Sequence, residues 1–291
     1  MHDEEGHVVA AITTFQDIGA RKEAEGRLQR AYDRDHRIAE TLQQSLLLSP
    51  SIDSLPGVRV RPFYVPALSE AAVGGDFYDA FPLDGGRVAL VVGDASGKGV
   101  EAAARTAEVK YAVRAFLSEH PHPARALERV NEFLCGVQRR AAEADPEAAI
   151  TAAFVALALA VIDPSSGEVL FAVAGIEPPL VLRARCDAEP VEGSGLPLGI
   201  DPAAEYEVMS RRLTPRDTLL LATDGLTEAR EVAPDGARGA FLGYEGFARL
   251  AEQACPAPEL DAMGRAILDG ARAFTGGSLQ DDVCLLLARL K

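Results

Sequence analysis

Five aspartates stand where an apolar run begins or ends. Asp94 closes the run in RVALVVGDASGKG, and Asp224 closes the one in DTLLLATDGLTEAR. Asp281 and Asp282 instead precede a run, in LQDDVCLLL, and Asp76 follows two glycines in VGGDFYD. Antiparallel neighbours put the finish of one strand beside the start of another, so four separate segments can deliver carboxylates to one sheet edge. Singly, each acid has an ordinary role available. An Asp after a strand is often a helix N-cap, as Asp224 before GLTEARE would be, or a turn residue. Four segments together, each acid flanked by Gly or by a second acid, point to chemistry instead.

Clustered carboxylates repel, so a cation must hold them. Hard oxygen donors with no His or Cys among them select Mg²⁺ or Mn²⁺ over Zn²⁺. Two such ions bridged by a carboxylate activate a shared water and clamp the oxygens of an in-line displacement, which is the chemistry of phosphoryl hydrolysis. Gly74, Gly75 and Gly97 then have a reason, since a Cβ would obstruct close approach of the backbone to ions and their waters. GDASGKG is not a nucleotide-binding P-loop: three residues, not four, separate Gly93 from Gly97, and Lys98 is followed by Gly99. His2, His7, His36, His120 and His122 offer no Ser-His-Asp or Cys-His arrangement, which disfavours a nucleophilic side chain.

The elements that must position these acids are short and β-rich: VRVRPFYVP, RVALVVG, ITAAFVALALAVI, EVLFAVAG, PLVLR, DTLLLAT and DVCLLLARL. Helical stretches intervene at about 100 to 142 and again at about 245 to 274. IDPSSGEV reads as a hairpin turn between two apolar runs. Hairpins imply antiparallel pairing rather than the strand-helix-strand rhythm of a Rossmann fold, so an α+β fold of antiparallel sheets with outer helices is expected. Residues 231 to 247, rich in Gly and poor in periodic apolar positions, read as a mobile flap. Arg230 and Arg238 beside it are the candidate substrate-binding cations.

Ahead of the sheets, GARKEAEGRLQRAYDRDHRIAETLQQSLL runs without Pro. Leu28, Asp35 and Leu42 fall seven apart, with Ala31, Ile38 and Ser45 between them. This is a long N-terminal amphipathic helix, residues 20–48, with an interrupted seam suited to a homodimer or to a passive tether. LSPSIDSLPG breaks it, so the catalytic domain is expected over 49–291. With 29 Lys and Arg against 44 Asp and Glu, the net charge of -15 argues against nucleic acid as a partner. No apolar run is long enough for membrane insertion, and a cytoplasmic location is expected. Cys135, Cys186, Cys255 and Cys284 lie far apart without zinc spacing and read as reduced packing thiols.

The ordered set GGDFYD, GDASGKG, AGIEPPL, LPLGI, ATDGLTEAR and DD before a last apolar strand resembles the bacterial sporulation and stress-response (SpoIIE-type) branch of the metal-dependent type 2C serine/threonine phosphatases. The likeness covers roughly residues 41 to 290. It implies an α-β-β-α sandwich with two Mn²⁺ or Mg²⁺ ions at one edge of paired antiparallel sheets. By this resemblance Asp76, Asp94 and Asp224 are catalytic, and the metal ligands are Asp76, Asp94, the Ala95 carbonyl, Asp224 and Asp281, with Asp282 as second choice. It also implies a phosphorylated regulatory protein, an anti-sigma-factor antagonist, as substrate. Ser96 follows Ala95 where eukaryotic members carry a His after the bridging Asp-Gly. Ile176, Glu177 and Cys284 also depart from the branch's pattern without touching an expected ligand. Residues 1–19 resemble the last strand of a PAS sensor leading into a signalling helix. The alternatives are a degenerate phosphatase domain used as a binding module, which the complete acid set opposes, and a small-molecule phosphoesterase.

Overall fold

The computed structural model describes residue 19, residues 21–31, residues 34 and 38, and residues 54–66, 75–144, 153–232, 238–255 and 257–291. The PAS-like stretch at 1–18 and most of the 32–48 segment lie outside the described residues. Within the expected 20–48 helix, residues 21–31, 34 and 38 are helical. Of the seam residues, Leu28 is 73% exposed and Ile38 44%.

Among the described residues twelve strands follow. One sheet has the order β1-β12-β9-β6-β7 and the other β2-β3-β4-β5-β8, every pairing antiparallel. The strands are β1 (Val58–Val65), β2 (Asp76–Pro82), β3 (Val88–Ala95), β4 (Val155–Asp163), β5 (Glu168–Ala174), β6 (Leu180–Leu182), β7 (Ala188–Pro190), β8 (Met209–Arg212), β9 (Thr218–Ala222) and β12 (Val283–Leu290). The remaining two, β10 (Arg230–Val232) and β11 (Arg238–Phe241), form a separate hairpin. The IDPSSGEV turn joins β4 to β5 as expected, with the Asp163 carboxylate accepting the Ser165 N–H at 2.9 Å.

Helices α1 (Val100–Glu119) and α2 (Pro123–Ala144) cover one sheet. Helices α4 (Gly243–Ala254) and α5 (Leu260–Phe274) cover the other, and α3 (Asp224–Thr227) is a single turn. The result is the α-β-β-α sandwich. It explains why β12 and β3 read as unbroken apolar runs: both of their faces are buried. Cys284, Leu286, Ala288 and Leu290 join Val88, Leu90 and Val92 between the sheets. Val283, Leu285 and Leu287 face α4 and α5, whereas Ala89 and Val91 face α1 and α2.

Two expectations are corrected. The 231–247 segment is not a flap throughout. Arg230–Val232 pairs with Arg238–Phe241, and Phe247, on the core face of α4, is 1% exposed; residues 233–237 lie outside the description. The cysteines are not all reduced either. Cys186, after β6, and Cys255, at the end of α4, are disulfide-bonded with Cα atoms 5.5 Å apart, because the fold brings together residues 69 apart in sequence. Cys135 and Cys284 are free thiols. Among the described residues no helix is long and apolar enough to cross a membrane.

Candidate metal centre

Alternation along the strands dictates where the acids go. In β3 the residues facing the other sheet are Val88, Leu90 and Val92, and two positions on stands Asp94. In β2 the same face carries Ala80 and Tyr78, and then Asp76. In β9 it carries Leu219 and Leu221, and then Thr223; in β12 it carries Leu286 and Cys284, preceded by Asp282. The layer between the sheets is thus apolar along its length and ends in polar groups at one edge.

Asp76 and Asp94 are direct cross-strand partners in the β2–β3 ladder. Like charges facing each other there destabilise a sheet, so the arrangement carries a cost. Asp224, in the first turn of α3, completes a trio whose carboxylate oxygens lie within 4.8 Å of one another. Among the described residues none of the three forms an ion pair. Burial pushes the Asp76 carboxyl well up, and Asp94 adds to this, while a hydrogen bond from Thr223 opposes it. Asp94 is raised to about 6, by burial first and then by Asp224, Asp281 and Asp282. Asp224 is raised by burial, then by Glu228 and Asp281. Three acids that resist ionisation side by side, with oxygen donors alone, are the donor set a hard divalent cation requires.

The backbone is shaped to the same end. A Cβ on Gly75 would lie 1.9 Å from the Ala95 carbonyl oxygen and 2.5 Å from Asp94 Oδ1, so only glycine admits this approach. The Ala95 N–H donates to the Gly75 carbonyl at 3.1 Å, fixing β3 against the segment that enters β2. On the other side a Cβ on Gly225 would meet the Asp282 carbonyl at 1.9 Å, so α3 packs directly against the entry to β12. Gly97 has φ 104° with open space around it, and its requirement is conformational; Gly74 lies outside the described residues.

Asp281 and Asp282 surround the trio without joining it. Asp282 is 6% exposed on the inter-sheet side, and Asp281 accepts the Asp282 N–H at 2.9 Å from the exposed side. Arg230 packs its guanidinium 3.7 Å over the Phe241 ring on the hairpin that follows α3. Arg238 opens β11, and its side chain lies outside the description.

Three further residues belong to the site. Thr223 occupies the N-cap position of α3 but does not cap the helix. Its hydroxyl accepts the Cys284 N–H at 2.9 Å and donates to Asp76 Oδ2 at 2.7 Å. Glu177 and Glu228 line a cleft of about 330 Å³ with Asp94, Ala156, Gly175 and Asp224, and the Thr227 hydroxyl donates to Glu177 at 3.0 Å. Thr223 was within reach of sequence reasoning, two positions beyond Leu221 in strict alternation. Glu177 was marked only as a departure from the branch's pattern, and Glu228 carried no signal.

Comparison with known proteins gives the lineage. The family model for Stage II sporulation protein E (SpoIIE) matches residues 84–291, which include Asp94, Asp224, Asp281 and Asp282, with Asp76 just ahead. The phosphoserine phosphatase RsbU of Bacillus subtilis (strain 168) is 25% identical over 266 residues, covering 91% of this chain and 72% of that one. Protein IcfG of Synechocystis is 29% identical over 203 residues, 64% of this chain and 32% of the relative. Among solved structures, the RsbU and RsbW domains of a Mycobacterium tuberculosis protein align with TM-score 0.63 and 32% identity over 81% of this chain and 61% of that one. The SiaA-PP2C domain of Pseudomonas aeruginosa aligns with TM-score 0.69 over 94% of this chain and 100% of that one, at 20% identity, a likeness of fold. The chain thus spans about a third of the cyanobacterial relative and 61% of the mycobacterial one. With a family model matched over most of its length and the sandwich fold to accompany it, the chain belongs to the SpoIIE family, the sporulation and stress-response branch of the type 2C phosphatases.

Proposed function

We propose that the chain is a metal-dependent protein serine/threonine phosphatase that hydrolyses phosphoserine or phosphothreonine on a bacterial regulatory protein. The observation that carries this reading is the trio Asp76, Asp94 and Asp224, gathered from three segments within 4.8 Å, with no Lys or Arg paired to any of them among the described residues. RsbU of Bacillus subtilis, by its name a phosphoserine phosphatase, supports the reaction class. By the family resemblance the regulatory protein is an anti-sigma-factor antagonist.

Asp76, Asp94 with the Ala95 carbonyl, and Asp224 would hold two Mn²⁺ or Mg²⁺ ions, Asp281 would add a ligand, and Asp282 is the second choice. Bound there, the ions supply a water activated for in-line attack on phosphorus and neutralise charge on the phosphoryl oxygens. The chain's own residues do the remainder. Thr223 favours the ionised form of Asp76, since its hydroxyl proton is committed to that carboxylate while its oxygen is committed to Cys284. Glu177, anchored by Thr227, and Glu228 keep the cleft negative, so an incoming phosphate is repelled until cations are in place. Arg230, fixed over Phe241, and Arg238 are the cations we assign to the phosphoprotein. The helix at 20–48, with Leu28 and Ile38 exposed, is assigned to pairing with its copy in a homodimer.

The test is Mn²⁺-dependent release of phosphate from a phosphoserine protein, compared with a generic aryl phosphate and with a chelator control. Asp94→Asn and Asp224→Asn should each lower kcat by at least ~100-fold with the fold intact by circular dichroism. Near-parental hydrolysis by either variant removes that residue from the assignment. A preference for the aryl phosphate over the phosphoprotein rejects the substrate class.

A further inference from the structure

We propose that the far end of the same sheet carries a second site, a binding cleft for a phosphate-bearing small molecule of about mononucleotide size. Its floor is a row across the strands on the face turned toward α4 and α5. Arg59 of β1 is the direct cross-strand partner of Arg289 of β12. Arg289 donates through Nε and a terminal nitrogen to Thr218 Oγ1 at 3.1 and 2.8 Å, and Thr218 pairs with Leu182 of β6. One wall is the α4–α5 connection, with Ala257 and Pro258, backed by Met263 of α5; the other is the turn after β6, with Arg183 and Ala184. The Cys186–Cys255 disulfide ties the two walls together, and Arg216 projects from the turn ahead of β9. The space enclosed is about 510 Å³, within the usual range of small-molecule pockets, ~300–1,000 Å³.

Charge is what makes this cleft unusual in a chain of net charge -15. Four arginines line it, and their carboxylate partners can be accounted for. Arg183 is satisfied, bonded to Glu189 at 2.7 Å and to Asp217 at 3.2 Å. Asp217 is further committed to the N–H groups of Thr214 and Ala184, both at 2.9 Å. Glu259 is the acid acting on Arg289, and Asp261, next along, is bonded to Arg61 at 3.0 Å. Among the described residues Arg59 and Arg216 make no ion pair and no side-chain hydrogen bond. Arg289 is held by Thr218 and by the Pro258 carbonyl at 2.8 Å, and its basicity is lowered by burial and then by Arg59. Two like charges directly opposite on neighbouring strands are unfavourable unless an anion lies between them.

Guanidinium groups converging from three segments suit phosphate, whose oxygens accept paired N–H bonds. Ala257 and Pro258 give an organic moiety a small apolar edge to lie against, with Leu182 and Met263 buried behind it. Thr218 opens β9 whereas Asp224 follows its end, so this cleft and the acidic site occupy opposite ends of one strand. The proposal therefore stands independently of the phosphatase reading.

The experiment titrates AMP and adenosine into the full 291-residue chain by calorimetry, alongside the Arg59→Gln/Arg216→Gln double variant and Asp94→Asn. Both arginines are exposed and make no side-chain hydrogen bond among the described residues, so the double variant should fold. Expected are saturable binding of AMP, at least ~10-fold weaker binding of adenosine, and a loss of at least ~10-fold in AMP affinity in the double variant. Asp94→Asn should bind AMP as the parent does. Saturation not reached by about 5 mM AMP, equal affinity in the double variant, or loss of binding in Asp94→Asn would each overturn the proposal. A phosphopeptide that requires the two arginines while AMP fails to bind would overturn it in favour of a protein segment.

Discussion

Thr223→Val is the sharpest probe of the acidic site, because it removes one hydroxyl and keeps the side chain's shape. Thr223 is 0% exposed and Asp76 5%, so water cannot replace the lost contact. Two bonds disappear. The Cys284 N–H at 2.9 Å loses its acceptor, which lowers stability equally with and without ions and cancels from the binding equilibrium. The donation to Asp76 Oδ2 at 2.7 Å does not cancel, since it favours the ionised carboxylate that a cation needs over the protonated form that burial and Asp94 favour. A hydrogen bond to a charged group contributes about 1.5–3 kcal/mol. At about 1.4 kcal/mol per factor of ten, Mn²⁺ affinity should fall by roughly 10- to 150-fold. The range agrees with the ~10- to 100-fold usual when a partner of a metal ligand is removed. The assay is calorimetric titration of Mn²⁺ into the parent, Thr223→Val and Thr223→Ser at pH 7. Thr223→Ser keeps the hydroxyl and should recover most of the affinity. If Thr223→Val binds Mn²⁺ within twofold of the parent, Asp76 is not a ligand, or its ionisation does not depend on Thr223.

Two further outcomes are expected. Asp79→Asn removes the buried carboxylate that Arg114 grips at 2.6 and 2.7 Å and that neutralises Lys110 at 3.7 Å, so denaturant unfolding should show a loss of about 3–5 kcal/mol; a loss below about 1 kcal/mol would mean that this network does not fasten α1 to the strand carrying Asp76. Leu28→Asp combined with Ile38→Asp in the full chain should halve the mass seen by sedimentation equilibrium, and an unchanged mass would reject the helix as a dimer contact.

The sandwich was legible because the turns were. IDPSSGEV announced the β4–β5 hairpin, and two helical stretches after β3 and two more before β12 stand where the pattern put them. The acids were legible as strand-end residues gathered at one sheet edge, but which of the two adjacent ones faces inward was not. A strand buried on both faces gives no alternation from which to read orientation, so VCLLLARL cannot say whether Asp281 or Asp282 faces the other sheet. A one-residue shift would exchange them. The structure puts Asp282 on the side of Cys284 and Leu286, and leaves Asp281 exposed. The flap was misread where two short strands lack the length to show a period. Phe247, Leu250, Ala251 and Ala254 nevertheless keep helical spacing within it and beyond. The disulfide could not be foreseen, because spacing alone does not pair cysteines.

The arginine cleft was illegible for a related reason: its members lie at 59, 183, 216 and 289, and only strand register makes neighbours of them. Register also explains how one small sheet carries opposite charges at its two ends. Strand β12 starts after Asp281 and Asp282 and has Arg289 next to its last residue; β9 starts after Arg216 and ends before Asp224. At about 3.3 Å per residue, the seven steps from Asp282 to Arg289 span roughly 23 Å. That is nearly three times the screening length of about 8 Å at physiological ionic strength. The acids at one end therefore do little to neutralise the arginines at the other. Each end must therefore be balanced locally: a divalent cation is proposed for the converging carboxylates, and an anion for Arg59 and Arg216, which the acids at their own end leave unpaired.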